Sequence, residues 1–288
     1  MIQNSRFVFF GSSEFSVQVL DELKLHHLVP TLIVTTPDKP QGRKLILTPN
    51  IVKVWAKENG IEVLDPSSLK NNPDLVFKLQ ALSSQLFLVA SYGKIIPKEI
   101  FEIPAKKTLN IHPSLLPKYR GASPIQSQIL NDEKEIGVSI MVITEGMDEG
   151  PIVAKKPVAR SQQLESRKEL ERTLAIEGAR LFAHILPEWL AGVIDPIPQN
   201  EELATYCKKI KKEDGQIDLQ DDPHQNLLKI RALEGWPGTY FFQGNKRVII
   251  KKASIEDGKL GIERVIPEGK KEMSYEDFLR GQNRSTSF

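Results

Sequence analysis

The run Arg6-Phe7-Val8-Phe9-Phe10-Gly11-Ser12-Ser13-Glu14-Phe15 decides the fold of this chain. Phe7 to Phe10 form a continuous apolar stretch closed by a glycine, the pattern of a strand shielded on both faces. A serine after Gly11 can cap the periodic residues Phe15, Val17, Val19, Leu20 and Leu23, which predict a helix. The same alternation recurs downstream. Thr31 to Thr35 reads as a strand, Ile51 to Asn59 as a helix closed by Gly60, and Ile61 to Leu64, Leu86 to Ala90, Leu109 to Ile111 and Val138 to Ile143 as further strands. Short apolar strands separated by helical stretches predict a Rossmann-like α/β domain whose mostly parallel sheet is covered on both faces.

Leu164 to Leu190 carries Leu170, Leu174, Ile176, Leu181 and Ile185 among charged residues, with Pro187 near its end, and predicts a long helix. Ala191 to Glu202 contains Gly192, Pro196 and Pro198 but few core-forming residues, as an interdomain linker would. Beyond it, a helix at His224 to Leu233 and strand-like pieces at Thr239 to Phe242 and Arg247 to Lys251 are separated by turn signals at Gly244-Asn245 and Asp257-Gly258. The expected division is an α/β domain at 1–190, a linker at 191–203, and a smaller β-rich, barrel-like domain at 204–288.

Composition narrows the function. With 288 residues, 40% of them hydrophobic, the chain has enough apolar content for a core in each domain and is no disordered, collagenous or coiled-coil protein. Its 39 basic against 37 acidic residues leave a net charge of +2, so any nucleic-acid partner must be met by local clusters. The 7–10 run is far too short to cross a bilayer, and no small-residue cleavage site follows it, so a cytoplasmic protein is expected. Cys207, alone, reads as a small buried or half-buried thiol. His26, His27, His184 and His224 lack the carboxylate or cysteine spacing of a ligand set, so no metal is expected. Gly11-Ser12-Ser13 lacks the three-glycine fingerprint of dinucleotide enzymes.

The chemistry concentrates in Asn110-Ile111-His112-Pro113-Ser114-Leu115-Leu116-Pro117-Lys118-Tyr119-Arg120-Gly121. On a strand, Asn110 and His112 are two apart and project to the same face, at the sheet edge where parallel sheets bind ligands. Pro113 and Pro117 hold the following loop close. Alone, the two residues fit a structural hydrogen-bonded pair as readily as a site. A second stretch, Thr144-Glu145-Gly146-Met147-Asp148-Glu149-Gly150-Pro151, places a carboxylate between two glycines; alone, Asp148 is a turn residue. Together, Asn110, His112 and Asp148 supply an oxyanion donor, a titratable group and its carboxylate partner.

These residues resemble the formyltransferases that use 10-formyltetrahydrofolate, and most of the chain is similar to the methionyl-tRNA formyltransferase family. The likeness extends to Phe9-Phe10-Gly11, Pro37-Asp38-Lys39-Pro40-Gln41-Gly42-Arg43, Ser91-Tyr92-Gly93-Lys94, Arg120-Gly121-Ala122-Ser123-Pro124, Ala204-Thr205-Tyr206-Cys207-Lys208-Lys209, Gly215-Gln216-Ile217-Asp218 and Tyr275-Glu276-Asp277-Phe278. Ser12-Ser13, Lys44, Ile136 and Pro151 depart from the residues usual there. The resemblance implies that Asn110, His112 and Asp148 are the catalytic trio for transfer of a formyl group to the α-amino group of methionine on initiator tRNA. It implies a folate site along Ser91, Tyr92, Gly93 and the Ser114, Leu115, Leu116, Pro117 loop, and places Phe15 beside the methionyl side chain; alone, Phe15 is a core aromatic. Since the substrate amine is the nucleophile, no serine or cysteine nucleophile is needed.

The 37–49 loop is basic, with Lys39, Arg43 and Lys44. By the resemblance it enters the tRNA acceptor stem with Arg43 as the recognising arginine, whose forked donors suit base edges, while Lys39 and Lys44 suit phosphates. Lys208, Lys209, Lys211 and Lys212 form one cluster beyond the linker and Arg247, Lys251 and Lys252 another; Lys155, Lys156, Arg160, Arg167 and Lys168 could extend the track. Such patches fit phosphate-backbone contact or a solvated face. Rival readings are a sugar-nucleotide formyltransferase, a formylfolate hydrolase, and a tRNA-binding protein without turnover. A monomer is the default expectation.

Overall fold

The computed structural model describes residues 6–41, 45–159 and 166–285. The described residues of 1–121, 135–160 and 171–206 form one compact unit, and those of 122–134, 161–170 and 207–288 a second.

The first unit opens with β1 (Phe7–Phe10), α1 (Glu14–Leu25) and β2 (Leu32–Val34), then an antiparallel pair, β3 (Lys39–Gln41) and β4 (Ile46–Thr48). It continues with α2 (Ile51–Glu58), β5 (Glu62–Leu64), α3 (Pro73–Ala81), β6 (Leu86–Val89), α4 (Lys98–Phe101), β7 (Thr108–His112) and β8 (Arg120–Gly121). After α5 (Pro124–Leu130), which groups with the second unit, it resumes with β9 (Ile136–Val142), β10 (Ile152–Val158) and most of α6 (Arg167–Ala191).

Seven of these strands make one sheet in the order β10-β9-β7-β6-β1-β2-β5. The five strands from β7 to β5 are parallel; β9 runs antiparallel to β7, and β10 antiparallel to β9. The expected mostly parallel sheet is thus present, with an antiparallel edge. β1 is central, which is why all four of its residues are buried. Val8, Phe10, Phe87 and Val89 pack on one face with Leu75 and Leu79 of α3 and Ile100 of α4. On the other face, Phe7 meets Phe182 of α6 at 6.1 Å between ring centroids. Gly178 of α6 lies so close to β7 that a Cβ there would be 2.5 Å from Cγ2 of Ile111, a close approach open to glycine.

Ser13 caps α1 in a capping box with Ser16, whose hydroxyl also donates to the Ala90 carbonyl at 2.6 Å, so the first turn is tied to the end of β6. Ser12 Oγ donates to the Tyr92 carbonyl at 2.7 Å.

β11 (Tyr206–Cys207) precedes the main elements of the second unit: α7 (Pro223–Ala232), β12 (Thr239–Gln243), β13 (Lys246–Glu256), β14 (Lys259–Pro267), β15 (Met273–Ser274) and α8 (Tyr275–Ser285). β12 to β15 form an antiparallel sheet in chain order, packed through Phe241, Val248, Ile250 and Val265 against Ile230 of α7 and Phe278 of α8. Among the described residues no helix is long and apolar enough to cross a membrane.

Candidate active site

β7 pairs with β6 and β9, and its last residues carry Asn110 and His112 on one face. His112 is 4% exposed; Asn110 is half-buried, and its side-chain amide has no hydrogen-bond partner among the described residues. His112 Nε2 lies 2.9 Å from the Tyr119 carbonyl oxygen. A carbonyl only accepts, so Nε2 carries the hydrogen and Nδ1 is left as the nitrogen that can exchange a proton. Nδ1 faces Asp148 Oδ2 at 3.7 Å, beyond a hydrogen bond but close enough for charge to be felt.

The loop after His112 is braced from β9, where Ser139 sits opposite His112. Ser139 Oγ donates to the Ser114 carbonyl at 2.7 Å and accepts from Leu116 N–H at 3.0 Å, while Ser114 Oγ donates to the Lys118 carbonyl at 2.7 Å. Ser114 and Leu116 are therefore buried scaffold, and Leu115 and Pro117 are the half-buried members of the set. Ser91 and Gly93 are exposed with positive φ, of 53° and 78°. Tyr92 between them is buried edge-on against Phe10 at 5.6 Å, and burial pushes its phenol up to about 12. Tyr92 thus offers a ligand its backbone and not its ring. Phe15 on α1 is likewise buried.

Asp148 has φ +54°, and its Oδ2 accepts from Gly121 N–H at 2.8 Å. Gln199 Nε2 donates to the carbonyls of Asp148 and Gly150, each at 2.8 Å. Gln199 Oε1 accepts from Nε of Arg120, a fully buried arginine whose terminal nitrogens also hold Glu201 and the Tyr206 hydroxyl. The Arg120 guanidinium beside Glu201 holds that carboxyl below the usual glutamate range, and Glu201 raises Arg120 in turn. Arg120 opens the Arg120-Gly121-Ala122-Ser123-Pro124 motif, whose local pattern assigns it no role. Gln199 and Glu201 stand in a proline-broken stretch with no periodicity, so no local pattern marks them.

The residues expected to face RNA differ in their immediate surroundings. Lys39 is exposed on β3, while Arg43, Lys44 and Arg160 lie outside the described residues. Lys208, Lys209, Lys211 and Lys212 are exposed in the second unit with no ion pair among the described residues. Arg247 is half-buried with its Cζ 5.2 Å from the Tyr240 ring centroid. Lys252 pairs with Glu263, Lys156 with Glu177, and Lys155 reaches the Leu116 carbonyl, so these three charges are already engaged.

Known proteins resemble this chain along nearly its whole length. A relative from Thermodesulfovibrio yellowstonii named methionyl-tRNA formyltransferase is 36% identical over 301 aligned positions, covering 97% of this chain and 96% of the relative. Among solved structures, methionyl-tRNA formyltransferase from Clostridium thermocellum matches with a TM-score of 0.61 at 21% identity, covering 92% of this chain and 99% of that one. HypX from Aquifex aeolicus in complex with tetrahydrofolic acid matches with a TM-score of 0.63 at 19% identity, covering 95% of this chain and 46% of that one. At those identities the two structures speak for the fold. The family model described as Formyl transferase matches residues 5–186, and that described as Formyl transferase, C-terminal domain, matches 209–261. A match to both halves in order, joined to relatives aligned along almost the whole length, means that the chain belongs to the formyl transferase family.

Proposed function

We propose that this protein transfers a formyl group from 10-formyltetrahydrofolate to the α-amino group of methionyl initiator tRNA in the cytoplasm, with the chemistry in residues 1–190 and RNA backbone contact in 204–288. When an amine attacks the formyl carbon, negative charge develops on the formyl oxygen and positive charge on nitrogen. The unpartnered Asn110 amide suits the oxygen. His112 Nδ1 and Asp148 suit the nitrogen: Nδ1 has a lone pair once Nε2 is committed to Tyr119, and the carboxylate stabilises the imidazolium that proton uptake creates. The observation that carries this reading is that single free nitrogen, facing a carboxylate and sharing its strand with an open amide. Donors for a pteridine edge come from the backbone at Ser91, Tyr92 and Gly93, with Leu115 and Pro117 as apolar walls.

The test is acid-stable formyl-methionine formation on charged initiator and elongator tRNA with 10-formyltetrahydrofolate as donor. Label on the initiator in preference to the elongator supports the reading. Equal rates on both refute initiator selection, and formate release without an acceptor favours the hydrolase. Asn110→Ala and His112→Ala should each lower kcat by about 10² to 10³, with little change in tRNA affinity. Wild-type turnover in either variant removes that residue from the mechanism.

A further inference from the structure

We propose that Arg120 and Gln199 act as a positioning relay that sets the Asp148 carboxylate against His112. This rests on the assignment of Asp148 above and extends the site's support to residues 199–201.

A buried guanidinium is tolerated only when its charge is paired and its N–H groups are bonded. Arg120 meets both conditions in one way. Its Nη1 and Nη2 donate to the two oxygens of Glu201 at 2.8 and 2.7 Å, Nη1 also donates to the Tyr206 hydroxyl at 2.9 Å, and Nε donates to Gln199 Oε1 at 3.0 Å. Since arginine only donates, the Gln199 amide must turn its oxygen to Arg120 and its NH2 away. That NH2 meets two groups that only accept, the carbonyls of Asp148 and Gly150. The orientation of the amide is therefore set from both ends, and both of its hydrogens are used on the turn.

The turn needs such a hold. Asp148 is a non-glycine residue in the left-handed region, a conformation that L side chains disfavour and that persists where its surroundings enforce it. Gly121, the next residue after Arg120, donates its backbone N–H to Asp148 Oδ2. The Tyr206 hydroxyl that Arg120 holds lies 3.3 Å from Glu149 Oε1. One dipeptide, 120–121, thus fixes the carboxylate directly and the carbonyl of the same residue through Gln199.

The discriminating variant is Gln199→Glu. It keeps the shape and the oxygen that accepts from Arg120, but aims an oxygen instead of an NH2 at two carbonyls. Loosening the Asp148 turn should lower kcat by about 100-fold, since small misplacements of a reacting group cost that much. KM for tRNA and for the formyl donor should stay within about twofold, because the Gln199 amide is already spent on Arg120 and on the carbonyls of Asp148 and Gly150. If the relay works through Asp148, the double variant Gln199→Glu, Asp148→Asn should be no slower than Asp148→Asn alone; a merely structural role would make the losses multiply. Wild-type kcat in Gln199→Glu, or multiplied losses in the double variant, overturns the relay. If Gln199→Glu does not fold, Gln199→Leu is measured with the same expectation and is overturned by the same result. Should Asp148→Asn itself turn over at the wild-type rate, the assignment of Asp148 has failed and the relay with it. A slow Asp148→Asn beside a fast Gln199→Glu leaves that assignment standing and removes the relay alone.

Discussion

At Gly150 the main chain passes so near β9 that a Cβ would overlap the Val142 carbonyl oxygen, a backbone atom that cannot swing aside. Gly150→Ala must therefore lift the Asp148 turn off its strand. We expect a stability loss of about 1–3 kcal/mol in urea titrations, together with a fall in turnover, although no reacting group is altered. Glu201 carries a different kind of dependence. Because Arg120 lowers its proton affinity in the folded state, the pair contributes stability that is complete above the ordinary glutamate value and is lost as pH falls through the lower, folded one. Glu201→Gln should accordingly show a flatter acid limb of Tm against pH than the wild type. Coincident limbs would mean that Glu201 titrates alike folded and unfolded.

Among the elements, β9 is the one whose orientation matters most to the site. Running antiparallel to β7, it puts Ser139 opposite His112, where one hydroxyl serves both the Ser114 carbonyl and the Leu116 N–H. Ser139→Ala strands two buried backbone groups and should cost about 1–3 kcal/mol by chemical denaturation, with a raised KM for the formyl donor as the 114–117 loop loosens. The elements legible in the sequence were those with a strong local pattern. The run 7–10 is buried throughout, Ser13 does cap α1, and Asn110 and His112 do share a face. An apolar run reports burial but not strand direction, so the antiparallel turn of β9 left no mark on it. Neither did the pairing of Arg120 with Gln199 and Glu201, polar contacts spanning 79 and 81 residues of chain, because nothing local in the chain encodes a partner that far away. The 191–203 stretch lacks core-forming residues, and what it contributes to the site comes from the polar Gln199 and Glu201.

For the whole molecule, a net charge of +2 gives no long-range field to draw in RNA, so affinity must come from contacts made close up. The exposed, unpaired Lys208, Lys209, Lys211 and Lys212 are the strongest such group among the described residues. If each meets a phosphate, replacing all four with alanine removes up to four counterion-releasing contacts, and the slope of log affinity against log salt should flatten by up to about 3. KM for charged tRNA should rise, KM for the formyl donor should hold, and initiator and elongator should lose affinity alike, since phosphates carry no sequence. Arg43→Ala should do the reverse, eroding the preference for initiator tRNA while leaving the salt slope nearly as it was, because a base contact discriminates without releasing many ions. Measuring both variants over a salt series separates the two kinds of recognition. A salt slope unchanged by the four substitutions would show those lysines to be a solvated face, and unchanged discrimination would remove Arg43 from initiator recognition.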